Sequence, residues 1–560
     1  MIDMPVIRVS ISDIEALLGS RVTLEKLYKG LTKLKCEVDN VEGDILEYEA
    51  NHDRPDLFSA EGLARALRPF LGLEGKQYHI VNSSIKGYSE GIPGRPYIAL
   101  AVVRDVVLNE EAIVQIMQLQ EKLASTYGRA RRKASIGVYD LDKIKPPIYY
   151  RAVNPYETKY RPLNENREMT LREVLSETEK GRLYGYIIES MERYPVLMDS
   201  EGTILSLAPI LNSDDNKVTT NTRNILIDST GLNPEIVVDM VTIMAVNIAE
   251  RSKNRIIEVV GVEHPSGLII EAPRRTGNFI SVNLSDVSRL IGVDISVEDA
   301  VRYLSLHYYT VRSIEGRVLT VEAPIYRLDA RSWVDVAEDI AISHGYDAIG
   351  RQADSLPYST SIGKIHPLEY ISRRVRDILV GLGFIEIANY MMTSIESQTT
   401  LMGYNQGIFV VENPKSDRYT AIRSWLTPGI IEAIIENKGK RARLAVFEIG
   451  DVVLPDESME TNARVERRIG IAVSHEKATL TDGLAVVRTL FKELGVTLSF
   501  EKTMVPGLLP ERTAAINVNG EQIGFVGEVK PEILYKLGLM NPVIVSEINL
   551  NKIIKLLATN

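Results

Sequence analysis

The chain has 560 residues, room for roughly three to five domains at about 150 residues each. A hydrophobic fraction of 45% with 25% charged residues is that of an ordinary globular protein and excludes disorder as the dominant state. Sixty-five basic against 75 acidic residues leave a net charge of −10, which excludes a surface that wraps nucleic acid all round and leaves only local basic patches. A single cysteine, Cys36, excludes intrachain disulfides and cysteine-based zinc or iron–sulfur sites. The seven histidines are scattered, with no His-x-Glu or His-x-x-x-His pair to ligate a metal. With no basic-then-apolar leader and no apolar run of about 18 residues, a cytoplasmic multidomain protein is expected.

In chain order, the first element is a repeat. Ile7-Arg-Val-Ser-Ile-Ser-Asp-Ile14 recurs as Ile280-Ser-Val-Asn-Leu-Ser-Asp-Val287, an offset of 273. The offset holds through Leu17-Leu18-Gly19 and Leu290-Ile291-Gly292, Gly43 and Gly316, and Arg54 and Asp56 against Arg327 and Asp329. It then slips by four residues, about one helical turn, where Ala60 to Ala64 match Ala337 to Ala341. Each copy reads as a strand, a short helix capped by Ser12 or Ser285 and stopped by glycine, a second helix, a strand pair and a final helix. The copies occupy residues 1–87 and 273–355.

Residues 88–272, between the copies, read as mixed α/β. Apolar spacing at Ile113, Ile116, Leu119 and Leu123 predicts a helix from about Glu110 to Ser125 after an Asn109 cap. The densest basic run of the chain follows it, Gly128-Arg-Ala-Arg-Arg-Lys133. Ile204 to Leu211 and Ile225 to Asp228 read as buried strands flanking a polar loop, and a helix follows Pro234. Residues 356–560 form a further α/β unit, opening with a helix from Leu368 to Leu382. It closes on an antiparallel pair turned at Asn519-Gly520.

Candidate chemistry is sparse. Asp335, Glu338 and Asp339 fall at i, i+3 and i+4, one face of a helix, with Asp329 about a turn and a half before them. Four carboxylates call for a cation, and all-oxygen ligation selects a hard ion such as Mg²⁺ or Ca²⁺. The same spacing also fits a helix start, with Ser332 and Asp335 as a capping box. Arg129, Arg131, Arg132 and Lys133 suit phosphate contact, and equally a solvated loop. Asn212-Ser213-Asp-Asp215 and Asp228-Ser-Thr230-Gly231 place hydroxyls and carboxylates beside strand ends, where ligand sites form and where Asx and Ser/Thr turns also occur. The Gly-x-Ser-x-Gly elbow, the Gly-x-x-x-x-Gly-Lys-Ser/Thr phosphate loop and a strand-linked Gly-x-Gly-x-x-Gly are all absent.

Several longer motifs carry a resemblance. Pro324-Ile-Tyr-Arg-Leu-Asp329 with Asp335-Val-Ala-Glu-Asp-Ile-Ala341, Asn51-His-Asp-Arg-Pro-Asp56, Lys133-Ala-Ser-Ile-Gly-Val-Tyr-Asp-Leu-Asp142, Ser206-Leu-Ala-Pro-Ile-Leu-Asn-Ser213 and Arg423-Ser-Trp-Leu-Thr-Pro-Gly429 with Phe447-Glu-Ile-Gly450 follow one another in a family's order. Together they resemble the β subunit of phenylalanine–tRNA ligase in its archaeal and eukaryotic form. The resemblance implies a multidomain α+β fold: two small α/β repeats of a winged, DNA-binding-like kind, a mixed α/β tRNA-editing domain, and a class II synthetase-like antiparallel-sheet module without catalytic motifs. It implies Mg²⁺ at Asp329, Asp335, Glu338 and Asp339, and an editing pocket for tyrosyl-tRNA(Phe) lined by Asn212, Ser213, Asp228 and Thr230. It further implies a catalytic α subunit that binds ATP and phenylalanine, assembly as two α and two β chains, and contact with tRNA(Phe). The last module reads as silent in aminoacylation, since Pro510-Glu-Arg-Thr-Ala514 has no glycine run and Arg423 has no nearby glutamate in sequence. A free-standing hydrolase of mischarged tRNA and a non-catalytic interaction scaffold are the alternative readings.

Overall fold

The computed structural model describes residues 5–352, 363–404 and 407–558. The chain divides into two units, residues 1–356 and 357–560, and each is described by itself. The expected boundary at 355/356 lies outside the described residues.

In the first unit, the first repeat runs β1 (Val6–Ser10), α1 (Ile11–Leu18), α2 (Leu24–Lys33), β2 (Glu37–Glu42), β3 (Ile45–Glu49) and α3 (Ala60–Phe70). Its sheet has the order β1-β3-β2. Helix α1 starts directly after β1, so the last strand residue must serve as its cap. Ser10 Oγ accepts from the Asp13 amide at 3.1 Å, and Ser12, expected as the cap, donates instead to Asp44 at 2.7 Å. The helix stops at Gly19 with φ 77°, a left-handed conformation that glycine adopts without penalty.

A region built on one large sheet follows, with β4 (His79–Ser89), β5 (Tyr97–Val103), α4 (Glu110–Ser125), β6 (Ala134–Asp140), β7 (Ile148–Val153) and a separate two-stranded ribbon, β8 (Lys159–Tyr160) and β9 (Met169–Thr170). It continues through α5 (Leu171–Glu177), α6 (Glu179–Tyr184), β10 (Tyr194–Met198), β11 (Ile204–Leu207), β12 (Leu211–Asn212), β13 (Ile225–Gly231), α7 (Pro234–Ala249), β14 (Ile256–Glu263) and β15 (Ile269–Ala272). Nine strands lie in the order β12-β11-β10-β7-β4-β14-β5-β13-β6, and β15 pairs with β14. Strand β4 spans the expected 87/88 boundary and belongs to this sheet. The single strand expected over 204–211 is two, β11 and β12, joined by a bend. Asp228 and Thr230 sit within β13 rather than in a loop beyond it.

Helix α7 packs on β5 and β13 and is buried almost all round, as a helix enclosed between two layers must be. Its far side meets the first repeat. Arg251, just beyond it, donates to Asp13 at 2.6 and 2.7 Å and to Glu61 at 2.7 Å, and Arg68 pairs with Glu250 at 2.8 Å.

The second repeat has the same order: β16 (Phe279–Asn283), α8 (Leu284–Ile291), α9 (Val297–Ser305), β17 (Thr310–Glu315), β18 (Val318–Glu322) and α10 (Trp333–His344), then α11 (Tyr346–Gln352). The sheet order β16-β18-β17 repeats that of the first copy. Asn283, not Ser285, caps α8, for the reason already given for Ser10, and Gly292 stops it at φ 82°. The copies differ in cover: Leu17 is 7% exposed, whereas its counterpart Leu290 is 56% exposed.

The second unit contains α12 (Pro367–Gly381), β19 (Ile385–Glu386), β20 (Met392–Thr393), β21 (Ala421–Ile422), α13 (Thr427–Glu436), β22 (Leu444–Pro455), β23 (Ala463–Ser474) and α14 (Leu480–Glu493). Then come β24 (Ser499–Lys502), β25 (Leu508–Val518), β26 (Glu521–Val529), α15 (Pro531–Lys536), β27 (Val543–Asn549) and α16 (Leu550–Ala558). Its sheet, β19-β22-β23-β27-β26-β25-β24, is antiparallel except for the β19–β22 edge. Helices α12, α14 and α16 cover one face and α13 and α15 the other, each over its own apolar core. Asn519 and Gly520, at φ 52° and 79°, make the hairpin turn expected from sequence.

A tight approach fixes α3 to the preceding loop, because a Cβ on Gly62 would lie 1.7 Å from the Asp56 carbonyl oxygen. Gly62→Ala is expected to cost about 1–3 kcal/mol, as overpacking typically does. A thermal-unfolding midpoint unchanged from wild type would contradict this contact.

Candidate functional site

Successive side chains of β13 alternate between faces, so Ile227 and Ser229 meet α7 while Asp228 and Thr230 project to the opposite face. Asp228 pairs across the sheet with Gly137 on β6, and Thr230 pairs with Ser135. A cavity of about 140 Å³ lies on this face, lined by Asp228, Gly137, Tyr139, Ser206, Asn212 and Arg131 among others. The Tyr139 hydroxyl donates to Asp228 at 2.6 Å and lies 3.0 Å from Ser206 Oγ. Gly137 leaves the space for this contact: a Cβ there would lie 2.2 Å from both Asp228 Oδ1 and the Tyr139 hydroxyl.

Asp228 is 3% exposed. Burial pushes its carboxyl up to about 6, against the Tyr139 hydrogen bond, the Arg95 charge and the Gly137 amide, all of which pull it down. A carboxylate poised near neutrality beside a phenol and a hydroxyl suits orienting a water or holding a polar substrate group. Two more polar atoms of the cavity residues are buried without partners, Gln120 Oε1 and Arg131 Nε. A ligand with a donor and an acceptor would satisfy both.

The structure separates the sequence-derived pocket residues. Asp228 and Asn212 line the cavity. Thr230 does not: its hydroxyl accepts from Arg95 Nε at 2.9 Å. Ser213 does not either, since it is fully buried, accepts from the Asp215 amide at 3.3 Å and stabilises its own turn. Tyr139, Ser206, Gly137 and Arg95 were missed. Lys133 to Asp142 and Ser206 to Ser213 contain three of them, but strand register places only Gly137 and Tyr139 beside Asp228, and Ser206 reaches Tyr139 from the far end of the strand order.

The basic run also divides. Arg129, Ala130 and Arg131 have φ of 49°, 51° and 65°, three consecutive left-handed residues that turn the chain back after α4. Arg131 is thereby directed inward. Its guanidinium donates to the carbonyls of Pro209 and Ile210 at 3.1 and 2.7 Å, pairs with Glu121 at 2.6 Å and lies over the Tyr184 ring. Arg131 is therefore a buried wall of the cavity and is not available to a phosphate. Arg129 and Arg132 are exposed and Lys133 is half-buried.

The four acids of the second repeat do not converge on a shared point. Arg327 donates to Asp329 and to Asp339, both at 2.8 Å, and Tyr309 donates to Asp339 at 2.8 Å. Burial would raise the Asp329 carboxyl, but the Arg327 guanidinium outweighs it and holds it at about 2. Asp335 accepts from the Ser332 amide and hydroxyl at 2.7 and 2.9 Å, the capping box that spacing allowed. Glu338 is exposed and pairs with Lys35 of the first repeat at 3.2 Å. Among the described residues no group of three or more His, Cys, Asp or Glu is placed to hold a metal ion. Four direct carboxylate ligands therefore do not fit this arrangement, because arginine and lysine side chains already neutralise three of them.

In the second unit Arg423 does have a glutamate beside it, contrary to the sequence expectation. Glu448, on the adjoining β22, accepts from its Nη1 at 2.5 Å, and Arg423 also donates to the Asp451 and Asn389 carbonyls. Twenty-five residues separate the partners, so proximity in sequence gave no sign of it. Arg512 pairs with Glu528 at 2.7 Å.

Three family models match: "tRNA synthetase B5 domain" over residues 280–346, "B3/4 domain" over 112–260, and "Phenylalanyl tRNA synthetase beta chain CLM domain" over 354–550. The phenylalanine–tRNA ligase β subunit of Thermofilum pendens is 40% identical, over 99% of this chain and 98% of that relative. The chain belongs to the phenylalanine–tRNA ligase β-subunit family. Its counterpart from Pyrobaculum aerophilum is 39% identical over 97% of this chain and 99% of that relative. An N-terminal fragment of the Pyrococcus horikoshii β subunit superposes with a TM-score of 0.58 at 37% identity, covering 61% of this chain and all of the fragment. These relatives place the chain among aminoacyl-tRNA synthetases, ligases of protein biosynthesis. Among the described residues no helix is long and apolar enough to cross a membrane.

The raised Asp228 carboxyl makes a stability prediction. Its folded value of about 6 lies above the 3.8 of an ordinary aspartate, so the folded state binds the proton more tightly. Stability therefore falls as pH rises from about 4 to about 6 and stays lowered above that window. Asp228→Asn removes this penalty. It is expected to stabilise the chain by on the order of 1–3 kcal/mol at pH 7.5, with the advantage vanishing near pH 4. Denaturant midpoints at the two pH values check the sign.

Proposed function

We propose that the chain works as the β subunit of a phenylalanine–tRNA ligase, supporting ATP-dependent charging of tRNA(Phe) by a catalytic α subunit that binds ATP and phenylalanine. Residues 1–87 and 273–355 act as repeat scaffolds, 88–272 as a tRNA-editing domain and 356–560 as a silent class II-like module. Two α and two β chains form the assembly, in the cytoplasm. The observation that carries the subunit assignment is identity of 34–40% to archaeal β subunits across nearly the whole chain. The silence of the last module is supported by the absence of a glycine run in Pro510 to Ala514 and by the engagement of Arg512 with Glu528, whereas the Arg423–Glu448 pair does not speak for it. Exposed Tyr370, Val380, Tyr390, Met391 and Met392 supply apolar surface for a partner.

The second part of the proposal is hydrolysis of tyrosyl-tRNA(Phe) at the central cavity. A pocket for phenylalanine cannot strongly reject an isostere that adds a hydroxyl, so a separate site is needed to remove the error. The observation carrying this part is the buried Asp228 carboxylate held by Tyr139 in a cavity with unpaired polar groups. Asp228 and Asn212 bind or orient at the cavity, while Ser213 and Thr230 hold its walls. Exposed Arg129 and Arg132, with Lys133, contact the tRNA.

Mg²⁺ enters the proposal in reduced form. The ion commonly keeps several waters and takes one or two direct carboxylates. Asp335 and Glu338, one turn apart on α10 and nearer solvent than Asp329 and Asp339, are the residues that would hold it, with the ion replacing Lys35 at Glu338. It would supply charge neutralisation at that face.

Phenylalanine-dependent ATP–pyrophosphate exchange is expected to be silent with the chain alone and to appear on mixing with the α subunit. Exchange by the chain alone would refute the silent module. Asp228→Ala is expected to lower deacylation of tyrosyl-tRNA(Phe) at least about tenfold while leaving pyrophosphate exchange by the complex intact. Unchanged deacylation would leave only a scaffold role. In equilibrium dialysis, Asp335→Ala with Glu338→Ala is expected to remove bound Mg²⁺, and retention would exclude this site.

A further inference from the structure

Arg95 lies in the connection between β4 and β5 and is 1% exposed. Its guanidinium makes four contacts: Nε to Thr230 Oγ1 at 2.9 Å, Nη2 to the Thr230 carbonyl at 2.6 Å and to Ser135 Oγ at 2.9 Å, and Nη1 to the Arg131 carbonyl at 3.1 Å. None of these acceptors is a carboxylate. A buried cation satisfied only by neutral groups is costly, and an apolar side chain of similar size would hold the same strands at less cost. Such a cation calls for a reason beyond packing.

The contacts supply one. Thr230 and Asp228 are two residues apart on β13, so their side chains share one face, and Ser135 and Gly137 flank them on β6. Arg95 therefore stands beside the only acid on that stretch of β13, and each group feels the charge of the other. Its remaining arm grips the left-handed turn, at the residue whose side chain forms the cavity wall. We propose that Arg95 is the positioning residue of the cavity, setting its guanidinium charge beside Asp228 through Thr230 and Ser135 and fixing the turn that carries Arg131. The inference rests on the deacylation reading given above.

Groups facing Asp228 come from several elements. Tyr139 and the Gly137 amide belong to β6, Ser206 to β11 and Tyr150 to β7, while Arg95 comes from the β4–β5 connection. Arg131, paired with Glu121, completes the set across the cavity, and Lys180 also pairs with Glu121. Arg95 is the cation among them that carries no carboxylate of its own, so its loss shifts the charge balance at Asp228 directly. Burial then acts on the carboxyl with less opposition, and the ionised form is reached only at higher pH.

The test is deacylation of preformed tyrosyl-tRNA(Phe) by the reconstituted complex between pH 5.5 and 8, with uncatalysed hydrolysis subtracted. The wild-type rate is expected to rise with a midpoint near 6. Arg95→Met should move the midpoint up, with a rate about tenfold lower at pH 6.5 and a gap that narrows towards pH 8. Arg95→Lys keeps the cation but not the four-way grip, so its rate falls while its midpoint stays. A constant loss across the whole range, or a superimposable profile, overturns the proposal and leaves Arg95 a packing residue. If Arg95→Met loses its native circular-dichroism spectrum, Arg95→Lys and Thr230→Val decide, since both retain the charge. A shifted midpoint in either overturns the proposal. Absence of deacylation by the wild-type complex refutes the editing reading and this inference with it, whereas wild-type activity with an unshifted Arg95→Met refutes this inference alone.

Discussion

Buried arginines tie the first unit together, and each must find its acceptors inside the protein. Arg251 and Arg68 join the end of α7 to the first repeat through Asp13, Glu61 and Glu250. Arg65 reaches Asn247 at 2.8 Å, and Arg54 pairs with Asp56 at 2.9 Å. Arg327, the counterpart of Arg54 in the second repeat, holds Asp329 and Asp339. Removing one partner of such a pair leaves a desolvated charge, so the first repeat and the central sheet cannot drift relative to one another without breaking several pairs together, and Arg327 does the same work inside the second repeat. The polar groups that set their orientation are specific in both geometry and sign.

That rigidity matters for the cavity, which is assembled from strand interiors and turns rather than from a mobile rim. Asp228 and Tyr139 come from neighbouring strands, β13 and β6, whose register sets their separation, and Ser206 on β11 meets Tyr139 from the other end of the strand order. The left-handed turn at Arg129 to Arg131 adds a wall whose conformation ordinary side chains adopt only when their surroundings enforce it. The cavity's chemistry thus follows from backbone placement, with a glycine at 137 making room and a phenol at 139 using it.

The repeat was readable because its apolar spacing, its glycines and its Arg-x-Asp pairs recur at one offset, and such features are local. The element order of both copies, the helices at 110–125 and after Pro234, and the hairpin at Asn519-Gly520 were readable for the same reason. Partners distant in sequence were not. Spacing showed four acids near one helix but not that Arg327, two residues before Asp329, also reaches Asp339, or that Lys35 of the first repeat pairs with Glu338. It showed a basic run but not the backbone turn that buries Arg131, and it set Arg423 apart from Glu448 because they lie 25 positions apart. The caps at Ser10 and Asn283 escaped because each helix begins where a strand ends, with no residue between to mark the boundary.

The unequal cover of the two repeats bears on how freely each is able to vary. In the first, Leu17 is enclosed and Asp13 is clamped by Arg251, so substitutions there disturb an apolar contact and a charge pair at once. In the second, Leu290 is 56% exposed and Asp286, among the described residues, pairs with its own helix neighbour Arg289. Among the described residues only Leu284 and Val287 of α8 are buried, so the second copy tolerates changes along this helix at less cost to the chain's own packing than the first does along α1.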